Sequence, residues 1–175
     1  MTALVIGGAA SGKSAYAESL LEGADHKLYI ATMQPFGVEA AARIARHRAL
    51  RATKGFQTLE CFTALGALTG AALPEGCSVL LECLGNLAAN ELFSSQGAGP
   101  DAEAAILDGV AQLTRLSRRL VVVTNNVFAD GVAYDADTDR YLQLLGRCNT
   151  VLAARFDSVV EVVCGIPIIL KGERA

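Results

Sequence analysis

Short apolar runs, each broken by glycine, proline or a polar turn, alternate along this chain with segments whose apolar residues recur every three or four positions. The first run, Leu4-Val5-Ile6, ends at Gly7-Gly8 and predicts a buried strand entering a tight loop, with a helix from Lys13 to about Leu21 behind it. Lys27 to Ala31 predicts a second strand. After the Pro35-Phe36-Gly37 break, an alanine-rich helix is expected over Val38 to Leu50, then a short strand over Thr58 to Phe62 and a helix over Ala64 to Leu73. Ser78 to Leu81 is a continuous apolar strand set off by Pro74-Glu75-Gly76, and a helix from Leu84 to Phe93 follows it. Ser94 to Pro100 reads as a surface loop, and Asp101 as the cap of a long helix reaching about Arg119. Leu120 to Thr124 is the strongest strand signal and belongs at the sheet centre. A helix from about Thr138 to Ala154 and two short strands, Val159 to Cys164 and Ile168 to Leu170, complete the pattern, which contains no internal repeat.

Continuous apolar strands alternating with helices describe an α/β protein. Its sheet is mostly parallel and covered on both faces, with ligands at the carboxyl ends of the strands. With 175 residues the chain has room for one domain, expected to span residues 1–175. Hydrophobic residues at 52% and charged residues at 19% exclude a disordered or fibrous chain. A net charge of −3 argues against a general nucleic-acid binder, which needs a broad cationic surface to displace phosphate counterions. The five cysteines are scattered, with no CxxC pair for zinc or a redox dithiol, and the four that sit in apolar runs read as small core side chains in a reducing cytosol. No apolar run is long enough to insert into a membrane and the N-terminus lacks a signal-peptide layout, so a cytoplasmic protein is expected.

Candidate chemistry begins at Gly7-Gly8-Ala9-Ala10-Ser11-Gly12-Lys13-Ser14, which fits G-x-x-x-x-G-K-[ST] between the first strand and the first helix. The glycines let backbone N–H groups wrap a phosphate, Lys13 reaches the outer phosphates, and Ser14 suits a magnesium ion. A second magnesium contact is expected from a carboxylate closing an apolar strand, and Glu82, directly after Val79-Leu80-Leu81, fills that place. Glu60 closes another short strand and is a candidate for a nucleotide ribose or base. Arg43, Arg46, His47, Arg48 and Arg51 form the one dense basic cluster, with Arg43, His47 and Arg51 four apart on an expected helix. That face fits a solvated basic surface, a triphosphate site, or a histidine kept neutral by its arginines and able to attack phosphorus. His26, between Asp25 and Lys27, reads as a surface residue.

Over nearly its whole length the chain resembles the bifunctional adenosylcobinamide kinase/adenosylcobinamide-phosphate guanylyltransferase family of cobalamin nucleotide-loop assembly. The resemblance rests on the Gly7-to-Ser14 loop, Tyr29-Ile30-Ala31-Thr32, Ala42-Arg43-Ile44-Ala45-Arg46-His47-Arg48 and Thr58-Leu59-Glu60. It continues through Leu80-Leu81-Glu82-Cys83-Leu84 with Asn90, Val123-Thr124-Asn125, Gly146-Arg147-Cys148-Asn149, and Ala153-Ala154 with Asp157. It implies a RecA-like P-loop fold, a homotrimer, GTP or ATP as substrates, and a corrinoid as the acceptor. It also implies two reactions: phosphorylation of the aminopropanol hydroxyl of adenosylcobinamide, then transfer of GMP from GTP to that phosphate through a guanylyl-histidine. His47 matches the nucleophile. Glu60, Glu82, Thr32, Met33, Gln34, Arg48, Ala49, Leu50 and Arg51 match nucleotide-contacting positions.

The chain departs from the family's N-E-V-G-x-G-I-V-P stretch with Asn125-Asn126-Val127-Phe128-Ala129-Asp130-Gly131-Val132-Ala133, losing a carboxylate, a glycine and a proline. Gln143 stands where an acid is usual, Thr150 where glutamine is usual, and Arg51 to Phe56 replaces R-P-x-x-W. These changes cluster on the side expected to meet the phosphate acceptor. They leave a guanylyltransferase without the kinase step as one alternative, and another P-loop small-molecule kinase as a second.

Overall fold

A computed structural model of the chain describes residues 1–35, 45, 49, 54–127 and 133–173. Seven strands form one sheet: β1 (Thr2–Gly7), β2 (Lys27–Ala31), β3 (Phe56–Glu60), β4 (Ser78–Glu82), β5 (Arg119–Asn125), β6 (Ser158–Val163) and β7 (Ile166–Lys171). Their order is β3-β2-β4-β5-β1-β6-β7, and only the outermost pair, β6 with β7, is antiparallel. The Leu120-to-Thr124 run is therefore the central strand, as its uninterrupted apolar sequence demands, and Val121, Val122 and Val123 are fully buried. Among the helices whose bounds lie in the described residues, α1 (Lys13–Ser19), α2 (Leu84–Phe93), α3 (Ala102–Leu116) and α4 (Ala136–Arg155) flank the sheet.

Alternation along the strands divides the core into two layers. Leu4, Ile30, Val79, Leu81 and Val122 pack with Leu87 of α2, Ile106 and Leu113 of α3, and Leu145 and Leu152 of α4. Val5, Leu80, Val121 and Val123 point the other way, onto Ala17 of α1 and Leu21. Burial on both faces explains why these strands read as runs of Val and Leu rather than as alternating sequence. The result is the helix-flanked, mostly parallel P-loop sheet of the RecA-like class.

The expected helix over Ala64 to Leu73 is not formed; only Leu65–Ala67 makes a single 3-10 turn. Gly66 and Gly70 each weaken a helix by about 1 kcal/mol, and the tertiary structure uses the first as a close-packing point. Gly66 lies against Gly109 of α3, where a Cβ would sit 2.5 Å from the Cβ of Leu65 and 3.1 Å from the amide of Gly66. Asp101 is not the side-chain cap expected of it. Its φ of −92° and ψ of 10° continue a 3-10 turn over Gly99–Asp101, and α3 ends at Leu116 because Ser117 is already extended. The side-chain cap that does form is Asp135, whose carboxylate accepts the Thr138 amide at 2.8 Å and starts α4 two residues earlier than expected. That amide hydrogen bond also holds the Asp135 carboxyl below its ordinary value. The third strand is Phe56–Glu60 rather than Thr58–Phe62, set by its parallel register against Lys27–Ala31. The described residues contain no helix long and apolar enough to cross a membrane.

Glu91 of α2 is only 2% exposed, yet no cation pairs with it among the described residues. Its two oxygens accept the backbone amides of Ala64 at 2.7 Å and Ala98 at 3.0 Å, tying the turn before β4 and the loop before α3 to one helix. Glu91→Ala removes both acceptors and leaves two amides unpaired, a loss of about 3 kcal/mol. Urea unfolding reads this as a lower midpoint at an unchanged slope. A midpoint equal to that of the wild type would mean that these amides find other partners.

Candidate active site

The loop from Gly7 to Ser14 is held at three points. Within it, the Ser11 amide donates to the Gly8 carbonyl at 3.3 Å. Outside it, the Gly165 amide in the β6–β7 turn donates to the Ser11 carbonyl at 2.8 Å, and the Asn126 amide just past β5 donates to the Gly7 carbonyl at 3.1 Å. Glycine is required at two of its positions. A Cβ on Gly7 would lie 2.4 Å from Ser11 Oγ and 2.8 Å from the Val162 carbonyl, and Gly12 has φ of 91° with the Cα of Gly165 3.2 Å from where its Cβ would be. Ala10 is left-handed too, with φ of 55°. Ser11 Oγ is buried with no hydrogen-bond partner, and Lys13 Nζ crosses the loop to the Gly8 carbonyl at 3.0 Å. Gly7, Gly8, Ala9, Ala10, Ser11, Gly12, Lys13 and Ser14 thus form one continuous cradle with an ammonium folded over it.

Glu82 arrives from β4, separated from β1 by β5 in the sheet. Ser14 Oγ donates to Glu82 Oε1 at 2.5 Å, while Glu82 Oε2 is buried without a partner. A hydroxyl and a carboxylate meeting with one buried oxygen unsatisfied is a donor set of hard oxygens, which suits Mg2+. Ser14 and Glu82, 68 residues apart in sequence, are brought into direct contact.

Thr32 is fully buried, and its hydroxyl is committed to the backbone. It donates to the Cys83 carbonyl at 2.8 Å and accepts from the Cys83 amide at 2.7 Å, while the Thr32 amide donates to the Glu82 carbonyl at 3.1 Å. Asn90 extends the clasp by donating to the carbonyls of Thr32 and Phe62 at 2.8 and 2.9 Å. Thr32 and Asn90 therefore fix the carboxyl ends of β2 and β4, and with them Glu82. Met33 and Gln34 follow half-buried. Glu60 ends β3 exposed and in register with Ala31, which is in turn paired with Glu82, so the two acids stand at one level on either side of β2. Burial pushes the Cys83 thiol up from its ordinary value and that of Cys148 up to about 11, so both stay protonated and inert. All five cysteines are free.

Arg43, Arg46, His47, Arg48, Leu50 and Arg51 lie outside the described residues. Within that expected helix, Ala45 and Ala49 are helical and exposed. His26 is exposed, as a surface residue should be. Sequence reasoning did not find the link between Asn126, just past β5, and Glu161 of β6, whose side chains meet at 3.1 Å across β1. Nor did it find the packing of Gly85, where a Cβ would come within 3.0 Å of both Asn125 Nδ2 and Tyr141 Oη. The signals in the sequence were weak: one acid inside an apolar strand, and one glycine in the first turn of a helix.

A family model described as cobinamide kinase / cobinamide phosphate guanyltransferase matches residues 3–170. The bifunctional adenosylcobalamin biosynthesis protein CobU of Salmonella typhimurium is 36% identical over 184 residues, covering 98% of this chain and 100% of that protein. The bifunctional adenosylcobalamin biosynthesis protein CobP of Pseudomonas aeruginosa is 34% identical over 174 residues, covering 99% of each. Among solved structures, a Pyrococcus horikoshii OT3 protein with 10% identity superposes with a TM-score of 0.56, over 99% of this chain and 87% of that one, and shares the fold.

Proposed function

We propose, from the premise that this chain belongs to the cobinamide kinase / cobinamide phosphate guanyltransferase family, that one nucleotide-binding domain over residues 1–175 runs both reactions at its P-loop. The protein is a kinase and a nucleotidyltransferase of adenosylcobalamin biosynthesis. The observation that carries the assignment of the site is the Ser14–Glu82 contact beside a glycine cradle spanned by Lys13.

In the first reaction the aminopropanol hydroxyl of adenosylcobinamide attacks the γ-phosphorus of ATP or GTP, and the β–γ bridging oxygen leaves with the nucleoside diphosphate. Backbone N–H groups of the cradle and the Lys13 ammonium hold the phosphates and oppose the charge that develops there. Ser14 and Glu82 would hold Mg2+, which would supply further charge neutralisation at the phosphate oxygens. In the second reaction an imidazole nitrogen of His47 attacks the α-phosphorus of GTP and pyrophosphate departs. A phosphate oxygen of adenosylcobinamide phosphate then attacks the same phosphorus and releases His47. Arg43, Arg48 and Arg51 fit the triphosphate and keep the His47 imidazole neutral by like-charge repulsion. Met33, Gln34, Ala49, Leu50 and Glu60 complete the nucleotide contacts, and Thr32 contributes by holding Glu82 in place.

The acceptor is a corrinoid, and the enzyme works in the cytoplasm, which suits five free thiols. A homotrimer is the proposed assembly. β7, an open sheet edge, carries Ile166 at 65%, Ile168 at 45% and Leu170 at 58% exposure, an apolar edge of the kind that subunit contacts cover.

Chromatography of a reaction containing the chain, adenosylcobinamide, GTP and Mg2+ is expected to show adenosylcobinamide phosphate first and its guanylylated product after it, with both lost when the metal is chelated. Guanylylated product formed only when the phosphate is supplied ready-made would remove the kinase half of the proposal.

A further inference from the structure

We propose that Glu161 is the carboxylate that takes the proton from the acceptor hydroxyl in the kinase step, an assignment that rests on the two-reaction reading above. The sequence of β6, Ser158-Val159-Val160-Glu161-Val162-Val163, places one charged residue between pairs of valines, in a strand whose other central residues are buried. Glu161 itself is half-buried and its side-chain hydrogen bond is exposed, so the carboxylate can be reached from outside the core. Among the described residues no cation pairs with it. Its partner is an amide: Asn126 Nδ2 donates to Glu161 Oε1 at 3.1 Å. A carboxylate only accepts, so this contact fixes the Asn126 amide group as the donor and leaves Glu161 Oε2 for another proton.

The placement of this pair gives it a role. β1 lies between β5 and β6, so the Asn126–Glu161 bond passes over the end of β1, where the phosphate loop begins. The Asn126 backbone amide holds the Gly7 carbonyl at that same point, at 3.1 Å. Val160 and Val162 face the α1 layer, so by alternation Glu161 lies on the opposite face of the sheet, whereas Glu82 meets Ser14 on the α1 side. The two acids thus stand on opposite flanks of the cradle. One is joined to the metal-binding hydroxyl, and the other is available to an incoming acceptor. Asn126 occupies the position at which the family motif carries a carboxylate, and an amide cannot take up a proton at neutral pH. Glu161, hydrogen-bonded to it, brings a carboxylate to that place from β6, across β1.

In the step itself the acceptor oxygen forms its bond to the γ-phosphorus while its proton passes to Glu161 Oε2. The bond to the β–γ bridging oxygen breaks, the nucleoside diphosphate leaves, and the Glu161 carboxyl returns its proton to water. A positioned general base contributes about 10²–10⁴-fold.

The test is the steady-state rate of adenosylcobinamide phosphate formation by the wild type, Glu161→Gln, and the double variant Asn126→Glu/Glu161→Gln. Glu161→Gln is expected to lower kcat by about 10²-fold or more with the nucleotide KM changed less than about threefold, the pattern of an interaction made only in the transition state. The double variant, which moves the carboxylate across the hydrogen bond, is expected to recover most of the lost rate. A purely structural role for Glu161 would not predict that rescue. Glu161→Gln within about threefold of the wild type, or a double variant no faster than Glu161→Gln, overturns the assignment while leaving the two-reaction reading intact. A wild type that forms no phosphate at all overturns both.

Discussion

Lys13→Ala is expected to lower both phosphate formation and guanylyl transfer by about 10²–10³-fold, the size of loss seen when one preorganised donor to a developing charge is removed. Lys13 Nζ is the one side-chain cation that spans the cradle among the described residues, reaching the Gly8 carbonyl at 3.0 Å, and the loop around it is held by backbone hydrogen bonds that do not involve it. The variant should therefore fold normally and melt close to the wild type. Parallel assays of the two products, with a melting curve as control, read the effect. Loss of one product alone would show that the two reactions do not share the P-loop. Lys13→Arg should rescue poorly, because a planar fork does not replace a point charge in a loop this tightly closed.

The parts of this fold that were legible in the sequence are those governed by short-range physics. Val121-Val122-Val123 could only be buried on both faces, and the structure puts that strand at the centre of the sheet. Gly7 and Gly12 were legible as a phosphate loop because the motif fixes residue types at positions that the backbone needs, and the structure leaves no space for side chains there. What escaped depends on contacts between distant segments. The segment from Ala64 to Leu73 has helical composition, but Glu91 and Gly109 capture it as a turn from 27 and more residues away. Asp101 has the right chemistry for a cap but sits in a 3-10 turn with near-helical angles, and Asp135 takes that role for another helix.

The site divides along the same line. Ser14 and Glu82 were each recognisable from a local pattern, a lysine-serine pair after glycines and an acid after an apolar strand, and the geometry brings them together. Thr32 was expected to contact nucleotide. Its hydroxyl is engaged with both backbone groups of Cys83, a pairing that only the register of β2 against β4 reveals. The Asn126–Glu161 pair was invisible for the same reason: Asn126 alone looks like a lost acid, and Glu161 alone like an anomaly in an apolar strand.

His47 is proposed to carry the guanylyl group between GTP and the corrinoid phosphate. A phosphorus–nitrogen bond to imidazole is stable in base and broken by acid, so the intermediate has a chemical signature of its own. Intact-mass spectrometry of the protein after incubation with GTP and Mg2+, without corrinoid, reads that intermediate. The expected result is a mass increase of one guanylyl group, acid-labile and base-stable, that ATP does not produce and that is absent from His47→Ala. The same increment on His47→Ala, or none on the wild type, would contradict it.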